Sequence, residues 1–175
     1  MVNVKNEEIF KKTYKLLNQC TPLPVDCGQL CDGACCKGDE DTGMLLFPGE
    51  EEFFVNDKDF EIRETDYVLD DGYVVKLLLC NSKCERARRP LACRIFPLIG
   101  FYVEDKNVDM KDDQKIEVKI DPRAYESCPL AIVGIEEGVS KEFLLKVKKV
   151  FEILMEDKRC ADFIKIMTEQ LNFGG

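Results

Sequence analysis

Eight of the ten cysteines in this 175-residue chain fall into two islands and one outlier, and no regular element can bring them together. The first island is Cys27, Cys31, Cys35 and Cys36, interleaved with Gly28, Gly33 and Gly38. The second is Cys80, Cys84 and Cys93, the last inside the run Arg89-Pro90-Leu91-Ala92-Cys93-Arg94-Ile95-Phe96-Pro97. Cys128 stands directly before Pro129. On one helix, Cys27, Cys31 and Cys35 would share a face but span ~12 Å, too far to converge on a single ion. The glycines favour a folded-back loop instead. The prolines stiffen the second loop and reduce the entropy lost on ordering it.

Dense thiols on short loops are suited to a metal ion or an iron–sulfur cluster. A disulfide framework is the competing reading. It is disfavoured because residues 1–10 carry no apolar signal-peptide stretch and a chain this long has no need of staples. A reducing, cytoplasmic setting is therefore expected. The chain has no histidine. That removes Ser-His-Asp and Cys-His hydrolysis in their usual form, and every imidazole-ligated zinc site. A net charge of -9 argues against nucleic acid as a partner, and no apolar run is long enough to span a bilayer.

Within this acidic chain Lys83, Arg86, Arg88, Arg89 and Arg94 form a basic island beside the second cysteine group. Guanidinium groups there would stabilise an anionic thiolate centre. Arg89 and Arg94 are the expected cofactor-facing pair, because the proline-bounded loop fixes them next to Cys93, and Arg86 ranks below them. Cys35 and Cys36, being adjacent, are expected to point apart, so that the thiols divide into two groups. Cys20 and Cys160 lie outside the clusters on apolar helix faces and read as core.

The periodicity predicts an amphipathic helix over 7–20, a cysteine-bearing loop over 25–41, a short strand over 44–47, and a helix opened by Pro48 with Glu50, Glu51 and Glu52 in its first turn. Asp70-Asp71-Gly72 marks a hairpin between 67–69 and 73–79, the second strand leading into Cys80. A second strand pair is expected at 98–103 and 115–120, joined by a solvated acidic loop over 104–113. Asp109, Asp112 and Asp113 could ligate a cation, but they lack a calcium-loop pattern. Ser140 caps a predicted helix to about 157, and Asp157 caps a final one carrying Phe163, Ile164, Met167 and Leu171.

The residues Cys31-Asp32-Gly33-Ala34-Cys35-Cys36, Cys80, the stretch from Cys84 through Pro97 and Cys128-Pro129 together resemble the YkgJ-type cysteine-cluster family, described as a zinc- or iron-chelating domain. Spacers of three residues stand here where the family pattern has two. The resemblance covers about 27–129. It implies metal ligation by Cys27, Cys31, Cys35, Cys36, Cys80, Cys84, Cys93 and Cys128. A related cysteine domain occurs in flagellin lysine methylases, which use S-adenosylmethionine, but this chain has no glycine-rich nucleotide loop after a strand.

The expectation is a single α+β domain over 1–175: small and irregular, with cysteine-rich metal-binding loops, short β-hairpins and two C-terminal helices. Its expected function is metal binding through clustered cysteines, as an iron–sulfur cluster (slightly favoured) or zinc, with a redox or electron-transfer role. The alternative is an enzyme or accessory subunit for protein modification such as lysine N-methylation. The expected partner is accordingly a redox protein or a protein substrate. No catalytic residue is identified.

Overall fold

The computed structural model describes residues 4–37, 41–80, 85–103 and 116–173. The fold is α+β, with antiparallel sheets and C-terminal helices. Its elements are α1 (Val4–Leu16), α2 (Cys27–Leu30), β1 (Gly43–Leu45), β2 (Phe60–Val68), β3 (Val74–Cys80), α3 (Leu91–Ile95), β4 (Leu98–Tyr102), β5 (Ile116–Ile120), α4 (Pro129–Gly138), α5 (Lys141–Leu154) and α6 (Lys158–Phe173). One sheet has the order β1-β3-β2, and the other is the β4-β5 pair, registered from Leu98 opposite Ile120 to Tyr102 opposite Ile116.

The two C-terminal helices form as their sequences dictate. The Ser140 hydroxyl accepts from the Phe143 amide at 3.2 Å, and the Asp157 carboxylate accepts from the Cys160 amide at 3.0 Å. Each satisfies an otherwise orphaned donor at a helix start. The apolar stripe of α5, Phe143, Val147, Val150, Phe151 and Leu154, is buried against α1 and the β4-β5 pair. Phe47, just past β1, sits edge-on to Phe151 (6.1 Å) and Phe163 (5.5 Å), so it joins the first sheet to both helices. Each such side chain stabilises the fold by roughly 1.5–3 kcal/mol relative to exposure. Cys20 and Cys160 are both buried, and the Cys160 thiol donates to the Pro48 carbonyl at 3.7 Å.

Several expected boundaries differ. The first helix ends at Leu16, and the chain turns through Gln19 at φ 57 before Cys20 re-enters the core. Strand β2 begins seven residues earlier than the hairpin signal placed it, since Glu61, Arg63, Glu64 and Asp66 on this edge strand hide the β pattern. Residues 91–95, read as part of a stiff loop, form α3, and 129–138, to which no element is assigned from sequence, form α4. The acidic loop with Asp109, Asp112 and Asp113 lies outside the described residues, as do Lys83 and Cys84.

The sharpest correction is at Pro48. Instead of a helix with three acids in its first turn, Gly49 adopts φ 95 and a single 3-10 turn follows (Glu50–Phe53). The turn swings Glu50 inward until it is fully buried. Its carboxylate accepts from the Phe47 amide at 3.2 Å, the Leu91 amide at 2.6 Å and the Tyr14 hydroxyl. α1, the end of β1 and the start of α3 are thus tied to one side chain. Burial pushes the Glu50 pKa from 4.5 up to about 7, against the lowering effect of those three hydrogen bonds.

Two outcomes are expected. Because folding raises the Glu50 pKa, its proton-linked contribution is fully present below pH 4.5 and is lost as pH rises to about 7. The difference in urea-unfolding free energy between wild type and Glu50→Gln should therefore drift by roughly 3 kcal/mol across that window. A pH-independent difference would show that Glu50 ionises alike in both states. Separately, a Cβ on Gly100 of β4 would lie 2.6 Å from the Phe151 ring. Gly100→Ala should cost about 1–3 kcal/mol by overpacking, read as a lower denaturant midpoint at unchanged slope.

Candidate metal centre

Five segments converge at the end of the first sheet. Cys27 opens α2, whose N-cap is Asp26, with its carboxylate accepting from the Gly28 amide at 3.1 Å. Asp32 and Gly33 then take left-handed conformations (φ 51 and 61), which fold the chain back into a 3-10 turn, Ala34–Cys36. Cys80 is the last residue of β3, Cys93 is central in α3, and Cys128 is the N-cap residue of α4. The loop predicted from the glycines is what prevents Cys27, Cys31 and Cys35 from spreading along a single helix.

Two adjoining cavities result. The first is lined by Cys35, Cys36, Cys80 and Cys93, with apolar walls from Met44, Phe60, Leu78 and Phe96. The second is lined by Cys27, Cys31, Cys35, Cys93 and Cys128, with Arg86. Cys35, Cys93, Arg89 and Phe96 line both. Seven of the eight expected ligands therefore border this pair of cavities, and the eighth, Cys84, lies outside the described residues. No disulfide joins the nine described cysteines. Among the described residues, no three Cys, Asp or Glu side chains stand close enough together to hold a metal ion. Cys35 is exposed and the other six cysteines of the cavities are partly exposed, so the thiols are reached from solvent.

Electrostatics link the thiols to one another. Burial pushes the Cys27 pKa up, Arg86 opposes this, and Cys128 and Cys31 raise it further by like-charge repulsion. The Cys35 thiol hydrogen-bonds to Cys36, which draws Cys36 down to about 6 with help from the Arg89 guanidinium, and pushes Cys35 up. On the 3-10 turn the two neighbours stay close enough to interact, yet Cys35 borders both cavities and Cys36 only the first.

The arginines divide their roles. Arg89 lines both cavities, as its place beside Pro90 suggested. Arg94 lines neither. It is 8% exposed, donating from Nε to the Arg89 carbonyl at 2.9 Å and from its terminal nitrogen to the Ala87 carbonyl at 2.6 Å, with its guanidinium 4.4 Å over the Tyr14 ring. It shapes the turn that carries the other two. Arg86, ranked lower from sequence, lines the second cavity and donates to the Cys20 carbonyl at 2.6 Å, while its buried Nε has no hydrogen-bond partner among the described residues. Burial lowers the Arg86 pKa and neighbouring Arg89 lowers it further. Arg88 faces away, paired with Asp57 and Asp59 at 2.6 and 2.7 Å. The sequence carried no signal separating Arg86 from Arg88, since only the 3-10 turn at Arg86–Arg88 sends them to opposite sides.

A buried donor without an acceptor, two guanidinium groups near each other and seven thiols fit an anionic, thiolate-ligated group in chemical type. Among the described residues no three of these side chains meet at coordination distance. No protein-family model, no characterised protein and no solved structure matches the chain.

Proposed function

We propose that this chain is a metal-binding protein of the YkgJ-like cysteine-cluster kind, holding an iron–sulfur cluster, or alternatively zinc, through its clustered thiols. The observation that carries this reading is the convergence of seven cysteines from five segments on two adjoining cavities that share Arg89. Thiolates repel one another, so packing them together is favourable only when a cation takes up their charge. The Arg86 Nε then gains an acceptor in a metal-bound sulfur, an interaction that tunes affinity and potential. An iron–sulfur cluster bound there would supply one-electron chemistry, and a zinc ion a structural clasp. The absence of disulfides among the described cysteines supports a reducing, cytoplasmic setting. No helix of the described residues is long and apolar enough to cross a membrane. A second reading, an enzyme or accessory subunit acting on a protein, is favoured by the exposure of Cys35, which borders both cavities.

Anaerobic purification followed by iron, zinc and sulfide analysis and a visible absorption spectrum tests the reading. Bound metal is expected, and Cys35→Ser should lower stability by about 3 kcal/mol, roughly 6–12 °C in melting temperature for a chain of this size. Protein that takes up neither metal, with unchanged melting after chelation, sinks it. The two buried arginines should separate by readout. Arg86→Gln should weaken metal retention about 10–100-fold with little effect on the metal-free protein. Arg94→Gln, which strands two carbonyls, should lower the urea midpoint of the metal-free protein itself. Identical behaviour of the two variants would leave this division of roles without support.

A further inference from the structure

We propose that the groove between α1 and α5 is a docking site for an acidic amphipathic helix of a partner protein. The groove is lined by Lys12, Lys15 and Leu16 of α1 and by Lys146, Lys149 and Ile153 of α5. Two cations thus border it from each helix, over an aliphatic floor, and among the described residues no acidic side chain lines it. It shares no lining residue with the thiol cavities, so the inference stands independently of metal binding.

Composition makes this concentration of positive charge unexpected. The chain has a net charge of -9, yet α1 and α5 each carry four lysines and only two glutamates. Lys12 pairs with Glu8 at 3.2 Å, Lys146 with Glu142 at 2.7 Å and Lys149 with Glu152 at 2.9 Å, each within its own helix. Such pairs along a helix surface are weak, so they exchange readily for the carboxylates of a partner. Lys15 makes no ion pair among the described residues. Packing the two helices side by side brings like charges to both walls, and an occupant bearing carboxylates relieves that repulsion.

The shape selects a helix. Both walls are built from helix side chains, which offer an extended peptide no free backbone groups to pair with. A third helix instead settles into the furrow of a helix pair by ridges-into-grooves packing. Lys12 and Lys15 are three residues apart, as are Lys146 and Lys149, so each wall presents two cations within one turn, roughly 4.5 Å apart along the axis. The apolar stripe of the visiting helix rests on Leu16 and Ile153, and acids one turn apart on either flank reach the lysines of each wall. A membrane is a poorer complement, because insertion needs apolar side chains that project outward, and Ile153 is buried at the floor.

Fluorescence anisotropy of the full chain with a labelled peptide of about 18 residues, leucine and glutamate at helical spacing on an alanine background, tests this. A scrambled peptide of the same composition keeps the charge and lacks the stripe. Saturable binding of the patterned peptide is expected, weakening as salt rises and several-fold tighter than binding of the scrambled one. Lys15→Gln combined with Lys149→Gln, one neutralisation per wall, should weaken it about tenfold. Lys15→Arg combined with Lys149→Arg should retain it, and Lys119→Gln, on β5 outside the groove, should leave it unchanged. These side chains are exposed or half-exposed, and circular dichroism establishes that each variant is folded. Absence of binding, equal binding of the scrambled peptide or full affinity in the double Gln variant overturns the inference. So does a protein that sediments with phosphatidylserine vesicles but ignores the peptide. Metal content enters none of these readings, so failure of the docking site and failure of the metal-binding reading are told apart.

Discussion

A single buried carboxylate organises the molecule. Glu50 receives hydrogen bonds from α1 through Tyr14, from the end of β1 through Phe47 and from the start of α3 through Leu91. A charged carboxylate costs several kcal/mol to bury unless such donors surround it, so these partners are held in place by the penalty for losing them. Leu91 opens the short helix that carries Cys93 and Arg94. Arg94 reaches back to stack on Tyr14 and braces the turn that presents Arg86 and Arg89. The placement of a cysteine and two arginines at the cavities therefore traces back through one side chain to packing against α1.

Opposing charge sets the character of the site itself. The protein is acidic overall, yet around the thiols the charged side chains lining the cavities are arginines. Burial and then Arg89 depress the proton affinity of Arg86, while Arg86 favours the thiolate form of Cys27 and Arg89 that of Cys36. The cations are thus poorly satisfied by each other and the thiols poorly satisfied by each other. In the metal-bound form proposed above, deprotonated sulfurs would gather negative charge near the arginines, and the ion would take up the repulsion among them.

Periodic elements were legible from sequence and singular ones were not. The caps at Ser140 and Asp157, the stripes of α5 and α6 and the pairing of β4 with β5 follow from local rules that bury one face. Cys20 and Cys160 read as core and are core. Of the expected ligands, seven border the cavities, because loop glycines and prolines betray where a chain must fold back. Glu50 escaped because three glutamates after a proline read as the first turn of a helix, and only the positive φ at Gly49 turns the first one inward. Arg94 was assigned to the cofactor on adjacency to Cys93, but neighbours on a helix point about 100° apart, so adjacency carried it away from the cavities.

The two halves of the molecule are stabilised differently. The helical layer with the β4-β5 pair holds most of the buried apolar side chains, from Ile9 and Phe10 to Ile164 and Met167, and needs nothing from the thiols. The first cysteine island has no buried residue in either of its short turns. Under the proposed function, metal binding would differ from that of a small zinc finger, where the ion supplies the whole core. The scaffold already places Cys80, Cys93 and Cys128 on β3, α3 and α4, so an ion bound as proposed would need to draw in only the first island. Preorganising three sulfurs in this way would lower the entropy lost on binding.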